Sequence, residues 1–79
     1  MNIKNADELG KAVRQRRKQL EVTQKELAMT SGTGHRFIVD LEKGKPTCQV
    51  GKIFQVLQSL GLWIRIDNSK GEGSGGDPT

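Results

Sequence analysis

The stretch from Thr23 to Gly44, TQKELAMTSGTGHRFIVDLEKG, constrains the fold more than any other part of the chain. Thr23 followed by Glu26 is a capping box. The threonine oxygen can accept the amide of the third helical residue, while the glutamate reaches back to the amide of Thr23. Leu27 and Ala28 then fall on one inward stripe, and Ser31-Gly32 ends the helix at a residue that tolerates left-handed backbone. A second helix restarts at Thr33 or Gly34, sets Ile38 and Leu41 on one face at i and i+3, and stops at Gly44. Its other face carries His35, Arg36, Val39 and Lys43. A helix, a turn of about four residues containing glycine, and a second helix with an apolar inner face form the helix-turn-helix pattern. The stretch therefore reads as a DNA-binding module.

The flanking sequence supplies a small scaffold. A chain of 79 residues with 33% apolar content makes one domain whose core is marginal for a lone monomer. The net charge of +4 fits a polyanionic partner, although solubility alone could produce it. A single cysteine, Cys48, cannot form an internal disulfide, so a reducing cytoplasm is the expected compartment. No segment has the apolar run of a signal peptide or of a membrane span. A first helix is expected from Ala6 to Leu20, with Asn5 as N-cap and Glu8 completing a capping box. Leu9, Val13 and Leu20, with Ala12 beside them, form its apolar stripe, and Lys11, Arg14, Arg16, Arg17 and Lys18 crowd the rest. Beyond Gly44, Thr47 can cap a further helix with Val50, Ile53, Phe54, Leu57 and Leu60 on one face, ended by Gly61. Gly51 within it is a candidate for close helix approach. Cys48 reads as a small, semi-buried residue.

The run TQKELA…SGTG…I..LEKG resembles the XRE class of helix-turn-helix proteins, the class of the lambda and 434 phage repressors, from Leu9 to Leu60. The resemblance implies an all-α, lambda-repressor-like bundle of four to five helices. It also implies that the helix beginning near Gly34 lies in the major groove, that Gln24 bonds a DNA phosphate, and that Arg17 pairs with Glu42 as a structural ion pair.

The residues can be weighed on their own chemistry. Gln24 sits at a helix N-terminus, where free amides and the helix dipole favour an anion, and Lys25 lies beside it. Thr23, Thr33, Lys43 and Lys45 complete the expected phosphate-binding set. Arg36 is the strongest base-reading candidate, because a guanidinium can bond O6 and N7 of guanine together. Val39, one turn on, can meet a thymine methyl. His35 is either a plain surface residue or a base or phosphate contact, and it has no neighbours at metal-ligand spacing. Gly34 either lets the backbone approach DNA or merely permits the turn. Asp40 suits a side-chain partner better than a phosphate. Phe37 stands where many XRE proteins carry a small polar residue, and it can pack on the first helix or on the DNA sugar edge.

Leu62, Ile64 and Ile66 alternate with Trp63, Arg65 and Asp67 in a strand pattern of period two. No second strand exists in the sequence to pair with it, so the expected partner is its own copy across a two-fold axis. Leu62, Trp63, Ile64, Arg65 and Ile66 are thus the expected dimer interface. The run IFQVLQSLGLWIRI, with SGTGHRFIVDLEKGK, resembles HipB-type antitoxins. That resemblance implies a homodimer that represses its own operon from a palindromic operator in double-stranded DNA and holds a HipA-type kinase toxin. The alternative is a stand-alone phage or plasmid repressor without a toxin. Residues 1–67 form the expected domain, with the strand at about 62–67, and the Gly- and Ser-rich residues 68–79 a disordered tail. With no tyrosine, one histidine and one cysteine, no catalytic, metal or cofactor constellation emerges by spacing.

Overall fold

The computed structural model describes residues 3–46 and 48–64, in which four α-helices follow one another: α1 Ala6–Gln19, α2 Gln24–Ser31, α3 His35–Glu42 and α4 Val50–Ser59. Their inward stripes meet in one core of Val13, Leu27, Ala28, Ile38, Leu41, Val56, Leu57 and Leu60. Leu9, Val22, Phe37, Cys48, Ile53, Leu62 and Ile64 pack around it, half-buried. α3 lies between α1 and α2, while α4 closes the core against α2.

Local chemistry starts the first two helices. The Asn5 side chain accepts the Glu8 amide at 2.8 Å. The Glu8 carboxylate accepts the amide of Lys4 rather than that of Asn5, so the expected box is displaced by one residue. At α2 the box closes both ways: Thr23 Oγ1 accepts the Glu26 amide at 3.0 Å, and Glu26 Oε1 accepts the Thr23 amide at 2.8 Å. α3 and α4 begin without a side-chain cap, at Gly34 and Gln49. Thr47, the expected cap of α4, lies outside the described residues.

All four helices end alike. Just past each C-terminal cap, an amide turns back five residues to a carbonyl of the last turn: Val22 to Arg17 at 3.1 Å, Thr33 to Ala28 at 3.0 Å, Lys45 to Asp40 at 3.0 Å and Leu62 to Leu57 at 2.9 Å. The residue immediately before that amide is left-handed each time, with φ of 59° at Glu21, 72° at Gly32, 85° at Gly44 and 70° at Gly61. This closure satisfies orphaned carbonyls and favours glycine at the left-handed position. α1 alone closes with a side chain there.

Three expectations about the core change. Leu20 is exposed, because α1 stops at Gln19 and the closing turn swings it outward. Val50 and Phe54 are also exposed, at 65% and 48%. α4 is rotated so that Ile53, Val56, Leu57 and Leu60 face inward, which leaves the other edge of the apolar stripe outside. Gly51 is not a close-approach point, since a Cβ there would meet nothing within 4 Å. That role belongs to Gly10. A Cβ on Gly10 would collide with the backbone carbonyl of Leu41 and come within 2.8 Å of that of Glu42. The missing side chain lets α1 lie directly on the end of α3. At the C-terminal end, Leu62, Trp63 and Ile64 form no strand, and the rest of the expected strand, Arg65 to Asp67, lies outside the described residues, as does the tail.

Candidate nucleic-acid interface

The end of α3 is fixed by a buried polar network. Arg17, on α1, donates from Nε to Glu42 Oε2 at 2.7 Å and from Nη2 to Glu42 Oε1 at 3.0 Å. Its Nη1 donates to the Val22 carbonyl at 2.8 Å, which ties in the loop before α2. The hydrogen bond to Glu42 holds the Arg17 guanidinium above its ordinary pKa, outweighing the cost of burial. Gln24 Nε2 adds a bond to Glu42 Oε1 at 3.1 Å. One carboxylate therefore registers α1, the N-terminus of α2 and the C-terminus of α3 against one another.

Around that network opens a cleft of about 320 Å³, lined by Arg14, Arg17, Gln24, Val39, Glu42 and Lys43. The structure thus gathers Gln24, Val39 and Lys43, separated in sequence, on one surface. Arg14 joins them from α1. It lies outside the expected set because a cation on a helix crowded with cations carries no local sign of the side it faces. Among the described residues, neither the second amide hydrogen of Gln24 nor the hydroxyl proton of Thr23, whose oxygen caps α2, has an acceptor. Lys25 and Lys43 are exposed.

The first turn of α3 is open. His35 and Arg36 are exposed, and Val39 is half-buried at the cleft. Gly34 has φ of −90°, which any residue adopts, and a Cβ there would meet nothing within 4 Å. Neither backbone geometry nor internal packing requires a glycine. Thr33 is half-buried, its hydroxyl 2.9 Å from that of Ser31, which in turn donates to the Leu27 carbonyl at 2.7 Å. Asp40 accepts two cations: Arg36 Nε lies 3.4 Å from Oδ1 and Lys45 Nζ lies 3.6 Å from Oδ2. Phe37 packs on the core, with Lys52 of α4 over its ring at 5.7 Å from the centroid, a cation–π contact.

Two basic residues take structural positions instead. Arg17 is buried in the network above. Arg16 Nε donates to the Leu60 carbonyl at 3.0 Å and ties the end of α4 to α1. Burial and Asp40 raise the pKa of the Cys48 thiol, which disfavours the reactive thiolate. Among the described residues no three His, Cys, Asp or Glu side chains gather to hold a metal, and no helix is long and apolar enough to cross a membrane.

Over 64 residues the chain is 55% identical to the HTH-type transcriptional regulator y4mF of Sinorhizobium fredii, a match spanning 81% of this chain and 84% of that protein. The chain belongs to the XRE-type helix-turn-helix regulators. No family model matches it. The HipB–O4 20mer complex superposes with a TM-score of 0.79 at 28% identity, covering 87% of this chain and 97% of HipB. HipB in a HipA–HipB–O2–O3 complex gives the same score, identity and coverage. As an XRE-type regulator close to HipB, the protein is a DNA-binding transcriptional regulator.

Proposed function

We propose that this regulator is a homodimeric repressor that reads a palindromic operator through α3, and that it is the HipB-type antitoxin of a HipA-type kinase toxin, repressing its own operon in the cytoplasm. The observation that carries the DNA-reading half is the convergence of Arg14, Gln24 and Lys43 from three helices on one cleft, beside the exposed first turn of α3. Thr23, Gln24, Lys25, Thr33, Lys43 and Lys45, with Arg14 added, grip phosphates. Gly34, His35, Arg36 and Val39 face the bases. The open space and ordinary φ at Gly34 favour close DNA approach over a turn requirement. Gly34→Ala should therefore leave thermal unfolding unchanged while weakening operator binding, and unchanged binding would return Gly34 to the turn.

Dimerisation rests on the C-terminal segment. Leu62 and Ile64 are half-buried on the core while Trp63 between them is 77% exposed, an in–out alternation that suits a strand continuing through Arg65 and Ile66. Pairing of that strand with its copy sets two recognition helices about 34 Å apart, one helical turn of DNA. A chain ending at Gly61 should sediment as a folded monomer with poor operator affinity; a persistent dimer would overturn the strand assignment.

The toxin partnership draws support from similarity to HipB, which has been solved together with HipA. The similarity to y4mF, an HTH-type transcriptional regulator, fits the antitoxin and equally the second reading, a repressor without a toxin. Affinity capture of tagged protein from its native cell separates the two. A kinase-like partner recovered with the promoter of the regulator's own operon supports the antitoxin, and DNA alone supports the plain repressor.

A further inference from the structure

We infer that Asp40 is a specificity-determining residue: it holds the Arg36 guanidinium by its Nε edge, so that both terminal nitrogens face a guanine. The inference rests on the base-reading role of Arg36 proposed above. Asp40 lies one helical turn after Arg36, its side chain 20% exposed against 84% for Arg36, so the carboxylate is the fixed member and the arginine the swinging arm. An exposed i,i+4 pair contributes little to stability, so the fold gives little reason for it. Its geometry suits recognition. The carboxylate sits beside Nε, leaving Nη1 and Nη2 free, and two parallel N–H groups match O6 and N7 of guanine. An unrestrained arginine would lose rotamer freedom on docking, and a held one has lost part of it already.

Asp40 would also repel DNA if left bare on this face. Lys45 meets that problem by placing its ammonium 3.6 Å from the second oxygen, so each oxygen faces one cation and the trio carries a net positive charge. The same carboxylate thereby links a base-reading arm to a cation from the loop after α3.

The test selects a preferred site from random-sequence duplexes and then measures binding to its single-base variants at fixed salt. Wild type, Arg36→Ala, Asp40→Ala and the double variant are compared. Alanine is a strong helix former, so Asp40→Ala should melt like wild type, and Asp40→Ser takes its place if it does not. Arg36→Ala should abolish the preference at one base position. Asp40→Ala should lower the preference at that same position by roughly fivefold, the lower end of what a bidentate arginine contact supplies. In the Arg36→Ala background it should lower nothing further, the signature of two residues acting as one unit. If Asp40→Ala instead tightens binding to every duplex by one factor, it acts only as a charge and the inference is overturned. A base effect that persists without Arg36 overturns it too. Should Arg36→Ala leave every base preference intact, the base-reading role falls and the inference with it. If Arg36→Ala abolishes a preference that Asp40→Ala leaves untouched, the positioning role alone falls.

Discussion

Helix α3 supplies the carboxylates of two arginine–carboxylate pairs of the same chemistry in opposite surroundings. Arg17 and Glu42 meet at 2.7 Å with side chains 10% and 4% exposed, whereas Arg36 and Asp40 meet at 3.4 Å with 84% and 20%. The buried pair is surrounded by further bonds, from Arg17 to the Val22 carbonyl and from Gln24 to Glu42. The exposed pair shares its carboxylate with Lys45 alone and leaves the guanidinium facing out. Burial therefore divides the labour. Where water is excluded, an arginine fixes three helices, and where water reaches, the same group stays available for a ligand.

The contrast breaks most visibly at its buried end. Arg17→Ala strands the Glu42 charge inside the domain and should cost about 3 kcal/mol or more. For a domain this small that is a large share of the total stability, as a lowered melting temperature followed by circular dichroism would show. Arg17→Met combined with Glu42→Leu should recover much of that loss, because a buried ion pair adds little over a well-packed apolar pair.

Gly10→Ala comes next. A methyl there meets the Leu41 and Glu42 carbonyls, which as backbone cannot turn aside, and α1 must lift off α3. An overpacked contact of this kind costs about 1–3 kcal/mol, and operator affinity should fall with it as the Arg17–Glu42 geometry opens. Arg36→Ala inverts the pattern. Its melting temperature should match wild type, while discrimination at one base position drops by about 1–3 kcal/mol. Equal losses on all sequences would instead make Arg36 a phosphate contact. The smallest effect is expected at Lys11, whose pairing with Asp7 at 3.3 Å is made in an exposed setting, 76% and 65% exposed. Lys11→Met should move the melting temperature by less than about 3 °C, a measure of what exposure alone is worth.

The sequence made some of this legible and withheld the rest for identifiable reasons. The α2 box and the left-handed stops at Gly32, Gly44 and Gly61 depend on neighbours a few residues away, so local pattern sufficed. The periodicity that marks α4 is broad, with apolar residues at 50, 53, 54, 56, 57 and 60, and it fixes the helix without fixing which edge turns inward. Val56 took the core while Val50 and Phe54 stayed outside because packing against α2 chose the rotation. Gly10 could not be read at all, since its reason is a carbonyl at the far end of α3. Arg14 shares that difficulty. Only the assembled domain shows that it opens onto the same cleft as Gln24 and Lys43.

The four matching helix ends bear on how the domain comes together in time. Each corner is closed by bonds spanning five residues or fewer, so it can form before any distant helix arrives. Chains dominated by such local closures fold in microseconds to milliseconds. What stays non-local is the seating of α1 on the end of α3, with Gly10 and Arg17 brought to Leu41 and Glu42. Contacts made after the rate-limiting step govern escape from the native state rather than arrival at it. The buried pair would then act as a latch that sets the lifetime of the fold. Its expected kinetic mark is a faster unfolding limb in Arg17→Ala beside a nearly unchanged refolding limb.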